Sequence, residues 1–93
     1  MTRKEHLLVI LSEECAEVTK EVSKALRFGL NDHAPGENIN NYWKISQELG
    51  DLTAAIEMLY DEKIIPKPII EDIGKKKIKV ERYLLYSKEA GTL

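Results

Sequence analysis

The chain has a single cysteine, few aromatic residues and almost no excess of charge of one sign. Cys15 cannot form an internal disulfide, and the first residues lack the pattern of a secretory signal, so we expect a reducing cytoplasm. The longest apolar run, residues 7–11, falls far short of the roughly 20 residues that a membrane-spanning helix needs. A net charge of −2 gives no basic field for a nucleic-acid backbone. We therefore expect neither a membrane span nor a nucleic-acid partner.

Several common catalytic patterns are also missing. The sequence contains neither a P-loop nor the glycine pattern of dinucleotide-binding folds. Neither His6 nor His33 follows a glutamate by three residues, so the ligand units of di-iron helical bundles are absent, and the two histidines do not form a zinc pair. Any nucleotide binding would therefore have to depend on carboxylate side chains that hold a hard metal ion.

Helical periodicity dominates what is present, and no convincing strand emerges. Thr2 and Glu5 have the spacing of a capping box, and Gly29 provides a stop, which predicts a first helix over residues 3–28. The turn-forming residues 31–36 predict a loop. Two further helices are predicted: one follows Asn38 as its cap and reaches Glu62, and one runs from about Pro68 to Ser87. The whole chain, 1–93, is expected to be one helical domain.

Each predicted helix has an apolar stripe. The three stripes are Leu7, Leu11, Val18, Val22 and Ala25; Ile45, Leu49, Leu52, Ile56 and Leu59; and Ile69, Ile73, Val80, Tyr83 and Leu84. Cys15 lies on the apolar side of the first helix and is expected to be a buried structural thiol. Because 93 residues build only a small core, we expect an all-α helical bundle of two long antiparallel helices plus a third, completed by oligomerisation.

Two acidic motifs carry the functional hypothesis. They are Glu13-Glu14-Cys15-Ala16-Glu17 on the first helix and Glu48-Leu49-Gly50-Asp51 on the second. Side chains three residues apart share a helix face, so Glu14 pairs with Glu17 and Glu48 pairs with Asp51. Glutamate is also common on solvated helices, and each motif alone is more often a surface feature. Acid rows at the apolar boundary of two successive helices favour a metal site, and oxygen-only clusters suit Mg²⁺.

With these motifs, the sequence resembles the MazG-like all-α nucleoside triphosphate pyrophosphatases over roughly residues 5–62. The string Lys24-Ala25-Leu26-Arg27-Phe28-Gly29 with Pro35-Gly36 is similar to small phage-type members. The resemblance implies a Mg²⁺-dependent enzyme, with Mn²⁺ as a possible substitute, that splits an NTP or dNTP into its monophosphate and pyrophosphate. It implies four metal ligands: Glu14, Glu17, Glu48 and Asp51. It also implies a homodimer or homotetramer, and the long segment between the motifs leaves the base specificity open.

Further residues have expected roles in this chemistry. Glu17 and Glu48 are the candidates to accept a proton from the attacking water, and the sequence does not choose between them. Lys24, Arg27 and Lys44 are candidates to neutralise the polyphosphate, with ordinary ion pairing as the alternative. Asn41 is the best amide candidate for contacting sugar or base, although a residue at a helix start often bonds to local backbone instead.

Two other functions remain open from the sequence. The chain is compatible with a non-catalytic helical module that oligomerises or docks a partner. This interpretation explains the amphipathic helices but not the aligned acids. A dUTPase-like enzyme on the same scaffold is the other alternative. Trp43 lies nearly opposite the core stripe of the second helix, so another subunit or a nucleobase is expected to cover it, and the resemblance favours the subunit. The third helix is expected to be structural.

Overall fold

A computed structural model describes all residues, 1–93, as three helices and no strand. Helix α1 spans Arg3–Phe28, α2 spans Asn41–Asp61 and α3 spans Ile70–Glu89. The predicted all-α class with three helices is therefore confirmed. None of the three has the length and apolar content that a bilayer-spanning helix requires.

Both ends of α1 lie where the sequence predicts them. The Thr2 side chain accepts a hydrogen bond from the Glu5 backbone N–H at 3.1 Å, and the Glu5 carboxylate accepts one in return from the Thr2 N–H at 3.3 Å. The helix ends before Gly29, whose φ of 100° lies in the region that favours glycine. The backbone N–H of Gly29 still donates to the Ala25 carbonyl and so satisfies part of the helix end.

The start of α2 differs from its prediction. Its cap is Asn40, whose side chain accepts from the Trp43 N–H at 3.0 Å, and Asn38 lies in the preceding loop. Asn38 and Asn40 are chemically equal capping candidates, so composition could not separate them. Helix α3 begins at Ile70 and ends at Glu89, two residues later at each end than predicted, with no side-chain cap at its start.

Helices α1 and α2 pack against each other and enclose the whole core of the chain. The buried apolar residues are Leu7, Ala25, Ala34, Ala55 and Leu59. At one end of the pair, Arg3 Nε and Nη2 donate to the two carboxylate oxygens of Glu62 at 2.9 and 3.0 Å. At the other end, the Asn41 side chain donates to the Gly29 carbonyl at 2.8 Å. These end contacts fix the alignment of the two helices along their length.

Helix α3 packs on neither α1 nor α2 and buries no residue. Its predicted apolar stripe, including Ile73, Tyr83 and Leu84, is exposed. The prediction for Cys15 was wrong, because this thiol is exposed. Cys15 lies on a side of α1 that α2 does not cover, where Val22 is also exposed.

Candidate metal centre

The structure brings the two acidic motifs together between α1 and α2. Two groups of carboxylates form there, and within each group the oxygen atoms lie within 4.8 Å of one another. One group contains Glu14, Glu48 and Asp51, and the other contains Glu17, Glu21 and Glu48. Glu48 belongs to both. We refer to these five residues as the acid cluster.

The position of the acid cluster follows from the helical repeat. Leu7, Glu14, Glu21 and Ala25 are separated by seven, seven and four residues, so they share one row on α1. That row faces α2, and it is apolar at Leu7, acidic in the middle and apolar again at Ala25. On α2, Glu48 stands in the row of the buried residues Ala55 and Leu59. The acids therefore interrupt the core of the helix pair.

Glu48 bears the electrostatic consequence of this arrangement. Burial raises the pKa of the Glu48 carboxyl, and the charges of Asp51, Glu17, Glu14 and Glu21 raise it further, in that order. Desolvation and like charges both oppose ionisation of Glu48, and a bound cation would offset both effects.

Glu21 is the candidate site residue that sequence reasoning missed. Only 3% of its surface is exposed, and its Oε2 atom is buried without a hydrogen-bond partner. Its other oxygen lies 3.6 Å from Lys24 Nζ. Glu21 belongs to neither motif, but its spacing of four from Glu17 and seven from Glu14 is a sequence signal that could have identified it. A buried carboxylate oxygen that lacks a donor is chemically suited to a cation.

Lys24 and Lys44 adjoin the acid cluster, and both are paired with Glu37 from the segment between the helices. Lys24 Nζ donates to Glu37 Oε1 at 2.7 Å, and Lys44 Nζ lies 3.9 Å from Glu37 Oε2. The hydrogen bond with Lys24 is the main reason that the pKa of Glu37 is lowered, and it likewise raises the pKa of Lys24. Both lysines are partly buried, with side chains 22% and 25% exposed.

The other two candidate substrate contacts lie apart from the acid cluster. Arg27 is exposed and forms no ion pair; its guanidinium lies 4.9 Å from the centre of the Phe28 ring. Asn41 is fully buried, donates to Gly29 and receives no hydrogen bond at its Oδ1 atom. The backbone N–H of Asn41 also donates to the Asp32 carbonyl at 2.7 Å. In this structure Asn41 anchors the segment between the helices, and its side chain bonds to the end of α1 rather than to the local backbone of α2.

Trp43 lies outside the core, as its helical position predicts. It is 57% exposed and packs edge to face against Tyr42, with the ring centres 5.2 Å apart. Together with Leu30, Ile45, Ser46 and Leu49 these rings line an open apolar pocket of about 260 Å³. No acid of the cluster lines this pocket, so the pocket and the acid cluster are separate sites.

No protein-family model, curated protein or solved structure matches this chain. The motifs and the geometry of the acid cluster are therefore the observations on which a function has to be argued.

Proposed function

We propose that the protein is a Mg²⁺-dependent nucleoside triphosphate pyrophosphohydrolase of the MazG-like kind, converting an NTP or dNTP to its monophosphate and pyrophosphate. The observation that carries the proposal is the meeting of both acidic motifs between α1 and α2, around the buried Glu21. Unrelated surface acids explain neither this convergence nor the burial of Glu21. Solvated helices place their charges opposite the core.

The donor set suits Mg²⁺. It consists of carboxylate oxygens only, which hard divalent cations prefer, and Mn²⁺ accepts the same ligands. Glu14, Glu17, Glu48 and Asp51 are the proposed ligands, and the unpartnered oxygen of Glu21 extends the set. When bound, the cation supplies neutralisation of the polyphosphate charge and a bound water that deprotonates more readily. Two overlapping groups that share Glu48 provide ligands for one ion or for two neighbouring ions.

Side chains of the protein are proposed to accept a proton and to contact the phosphates. Hydrolysis adds one water across the anhydride bond between the α- and β-phosphates, which releases pyrophosphate as the leaving group. One carboxylate has to accept the proton that the attacking water loses, and Glu17 and Glu48 are the candidates. Glu17 is the more exposed of the two and lies in one group only, whereas Glu48 is shared by both. Lys24 and Lys44, next to the cluster, are the proposed contacts of the phosphates.

We further propose that the chain works as a homodimer or homotetramer, with α1 and α2 running antiparallel in each subunit. The antiparallel direction is supported by the Arg3–Glu62 and Asn41–Gly29 contacts, each of which joins the start of one helix to the end of the other. The accessible surface of the chain is 7390 Å². A folded monomer of 10.6 kDa is expected to expose about 5,500 Å².

The excess surface, roughly 1,900 Å², is the area that each subunit of a permanent dimer typically buries. Helix α3 and the outer face of α2 contribute to this surface. The exposed apolar side chains there include Tyr42, Trp43, Met58, Ile73, Ile78, Val80, Tyr83 and Leu84. A second copy of the chain covering these faces would complete a helical bundle.

A non-catalytic interaction module is the competing function, and the unpartnered α3 is the observation that favours it. Such a module has no need for carboxylates in its core, because burying them is costly unless a cation compensates. The two functions therefore differ in the role of the acid cluster, and an activity measurement separates them.

The test is pyrophosphate release from a panel of NTPs and dNTPs, with Mg²⁺ and with chelator. Wild type is compared with Glu17→Gln and with Glu13→Gln, a matched control from the same motif whose side chain lies outside the acid cluster. The proposal is supported if pyrophosphate release requires Mg²⁺, persists in Glu13→Gln and disappears in Glu17→Gln. The relative rates then show which bases the enzyme prefers. No release from any nucleotide would favour the interaction module.

A further inference from the structure

The segment between the helices places a negative charge on both proposed phosphate-binding lysines. The Glu37 carboxylate accepts from Lys24 Nζ at 2.7 Å through Oε1, and its Oε2 lies 3.9 Å from Lys44 Nζ. One carboxylate thus bridges two ammonium groups that belong to different helices. Lys24 connects this arrangement to the acid cluster, because its Nζ also lies 3.6 Å from Glu21 Oε1.

A phosphate group can replace Glu37 chemically. Like the carboxylate, it offers anionic oxygens on one central atom, and lysine ammonium groups bind phosphate as point charges. Both lysines are partly buried, Lys24 Nζ lies 3.6 Å from Glu21 Oε1, and Lys44 precedes Glu48 by one helical turn, so an anion between the lysines adjoins the proposed cation site. One phosphate of a polyphosphate bound at the cation site can therefore reach the lysines.

The attachment of Glu37 also permits the exchange. Its side chain has only the two lysines as ion-pair partners. Its backbone N–H donates to the Ala34 carbonyl at 3.1 Å, and Gly36 precedes it with a φ of +82°. Moving the side chain into water leaves these backbone features in place. The cost of the exchange is therefore confined to the two ion pairs, and the incoming phosphate restores both.

We propose that Lys24 and Lys44 form an anion site that the Glu37 carboxylate fills in the free protein, and that one phosphate group of the polyphosphate substrate displaces it. The inference rests on the proposed function for the identity of the substrate. Because Glu37 is tethered, it competes at a high effective concentration. A polyphosphate that is also held at the acid cluster outcompetes Glu37, whereas a monophosphate without a second anchor does not. Glu37 thereby favours release of the monophosphate product.

The test is calorimetric titration of inorganic pyrophosphate, in the presence of Mg²⁺, into wild type, Glu37→Gln and Glu57→Gln. Glu57 is an exposed α2 glutamate without an ion pair and serves as the matched control. Loss of the competitor is expected to tighten pyrophosphate binding about two- to fivefold in Glu37→Gln, the range for a solvent-accessible ion pair. Glu57→Gln is expected to bind as wild type does. Equal binding by wild type and Glu37→Gln, or binding by neither, would overturn the inference.

A double-mutant cycle separates displacement from a general change in charge. In a Lys24→Gln background, Glu37→Gln is expected to change the dissociation constant by less than about twofold, because the main ion pair is already lost. A full effect in that background would overturn the inference. The two proposals also fail separately. Tighter pyrophosphate binding without nucleotide hydrolysis would support the anion site and refute the enzyme, whereas Mg²⁺-dependent hydrolysis with no effect of Glu37→Gln would do the reverse.

Discussion

The α1–α2 pair and α3 depart from a stable monomer in opposite ways. The pair places the buried Glu21 and the partly buried Glu48 between its helices, where apolar side chains would be more stabilising. Helix α3 exposes apolar side chains such as Ile73 and Tyr83, which burial would stabilise. One region therefore lacks positive charge, and the other lacks a covering surface. A bound cation and a second subunit are the components that would correct these two departures.

The largest expected effect comes from neutralising one acid of the cluster. Asp51→Asn removes a proposed ligand while conserving shape, so Mg²⁺-dependent hydrolysis is expected to fall by about 100-fold or more. Far-UV circular dichroism is expected to remain unchanged, because Asp51 is exposed and contributes little to packing. The rate of pyrophosphate release at saturating Mg²⁺ is the measurement. Full activity would show that the cluster is not the site.

A charge on the apolar face of α3 is expected to break the assembly. The double substitution Ile73→Asp with Leu84→Asp places two carboxylates in the proposed subunit interface and is expected to weaken association by about 30-fold or more. Sedimentation velocity across a dilution series measures the change. The exposed Lys76→Asp serves as the control for added negative charge on the same helix. A wild-type chain that sediments as a monomer at all concentrations would contradict the oligomer.

Glu48→Gln is expected to stabilise the metal-free protein. The pKa of Glu48 is raised in the fold, so the folded state binds more protons than the unfolded state between the ordinary glutamate pKa and the raised one. Stability due to this group is therefore present below that window and is lost as pH rises through it. At neutral pH the melting temperature of Glu48→Gln is expected to exceed that of wild type by a few degrees in chelator.

Wild type and Glu48→Gln are also expected to differ in how their melting temperatures respond to metal. Added Mg²⁺ is expected to raise the melting temperature of wild type and to leave Glu48→Gln unchanged, and the wild-type gain is expected to shrink as acid protonates the cluster. Differential scanning calorimetry at several pH values measures both. A wild-type melting temperature that is insensitive to Mg²⁺ would contradict the cation site.

The smallest expected effect is at the end of the helix pair. Arg3 and Glu62 form an exposed ion pair, so Arg3→Gln is expected to lower the melting temperature by less than about 2 °C. The pKa of Glu62 is lowered by its hydrogen bond with Arg3. The stability that the Glu62 carboxylate contributes is therefore present above the pKa that Glu62 has in the unfolded chain. It is lost as the pH falls through the lower pKa of Glu62 in the folded protein. Thermal melts at high and low salt measure it, and a large loss would assign the pair a greater role in alignment.

The elements that depend on local chemistry could be predicted from the sequence. The capping box at Thr2 and the stop at Gly29 set α1 without reference to the rest of the chain. The acidic motifs likewise follow from helical spacing, and the structure brings Glu14, Glu17, Glu48 and Asp51 into two adjoining groups. Local spacing determines which face a side chain occupies, and that was sufficient for these residues.

The features that depend on packing could not be predicted. Whether an apolar stripe is covered depends on the path of the loops, so neither the exposure of α3 nor that of Cys15 follows from periodicity. The burial of Glu21 does not follow from the periodicity of α1 either, because it requires the facing row of α2. Glu37 reaches the lysines only through the conformation of the segment between the helices, which the pattern of turn residues did not define.

The most direct test of the central claim, that the acid cluster binds a divalent cation, is a titration of the protein with Mn²⁺ followed by electron paramagnetic resonance. Wild type and Glu13→Gln are expected to bind at least one Mn²⁺ per chain in competition with Mg²⁺, and Asp51→Asn and Glu48→Gln are expected to bind it far more weakly. Equal binding by all four proteins, or no binding by wild type, would show that the acid cluster is not a cation site.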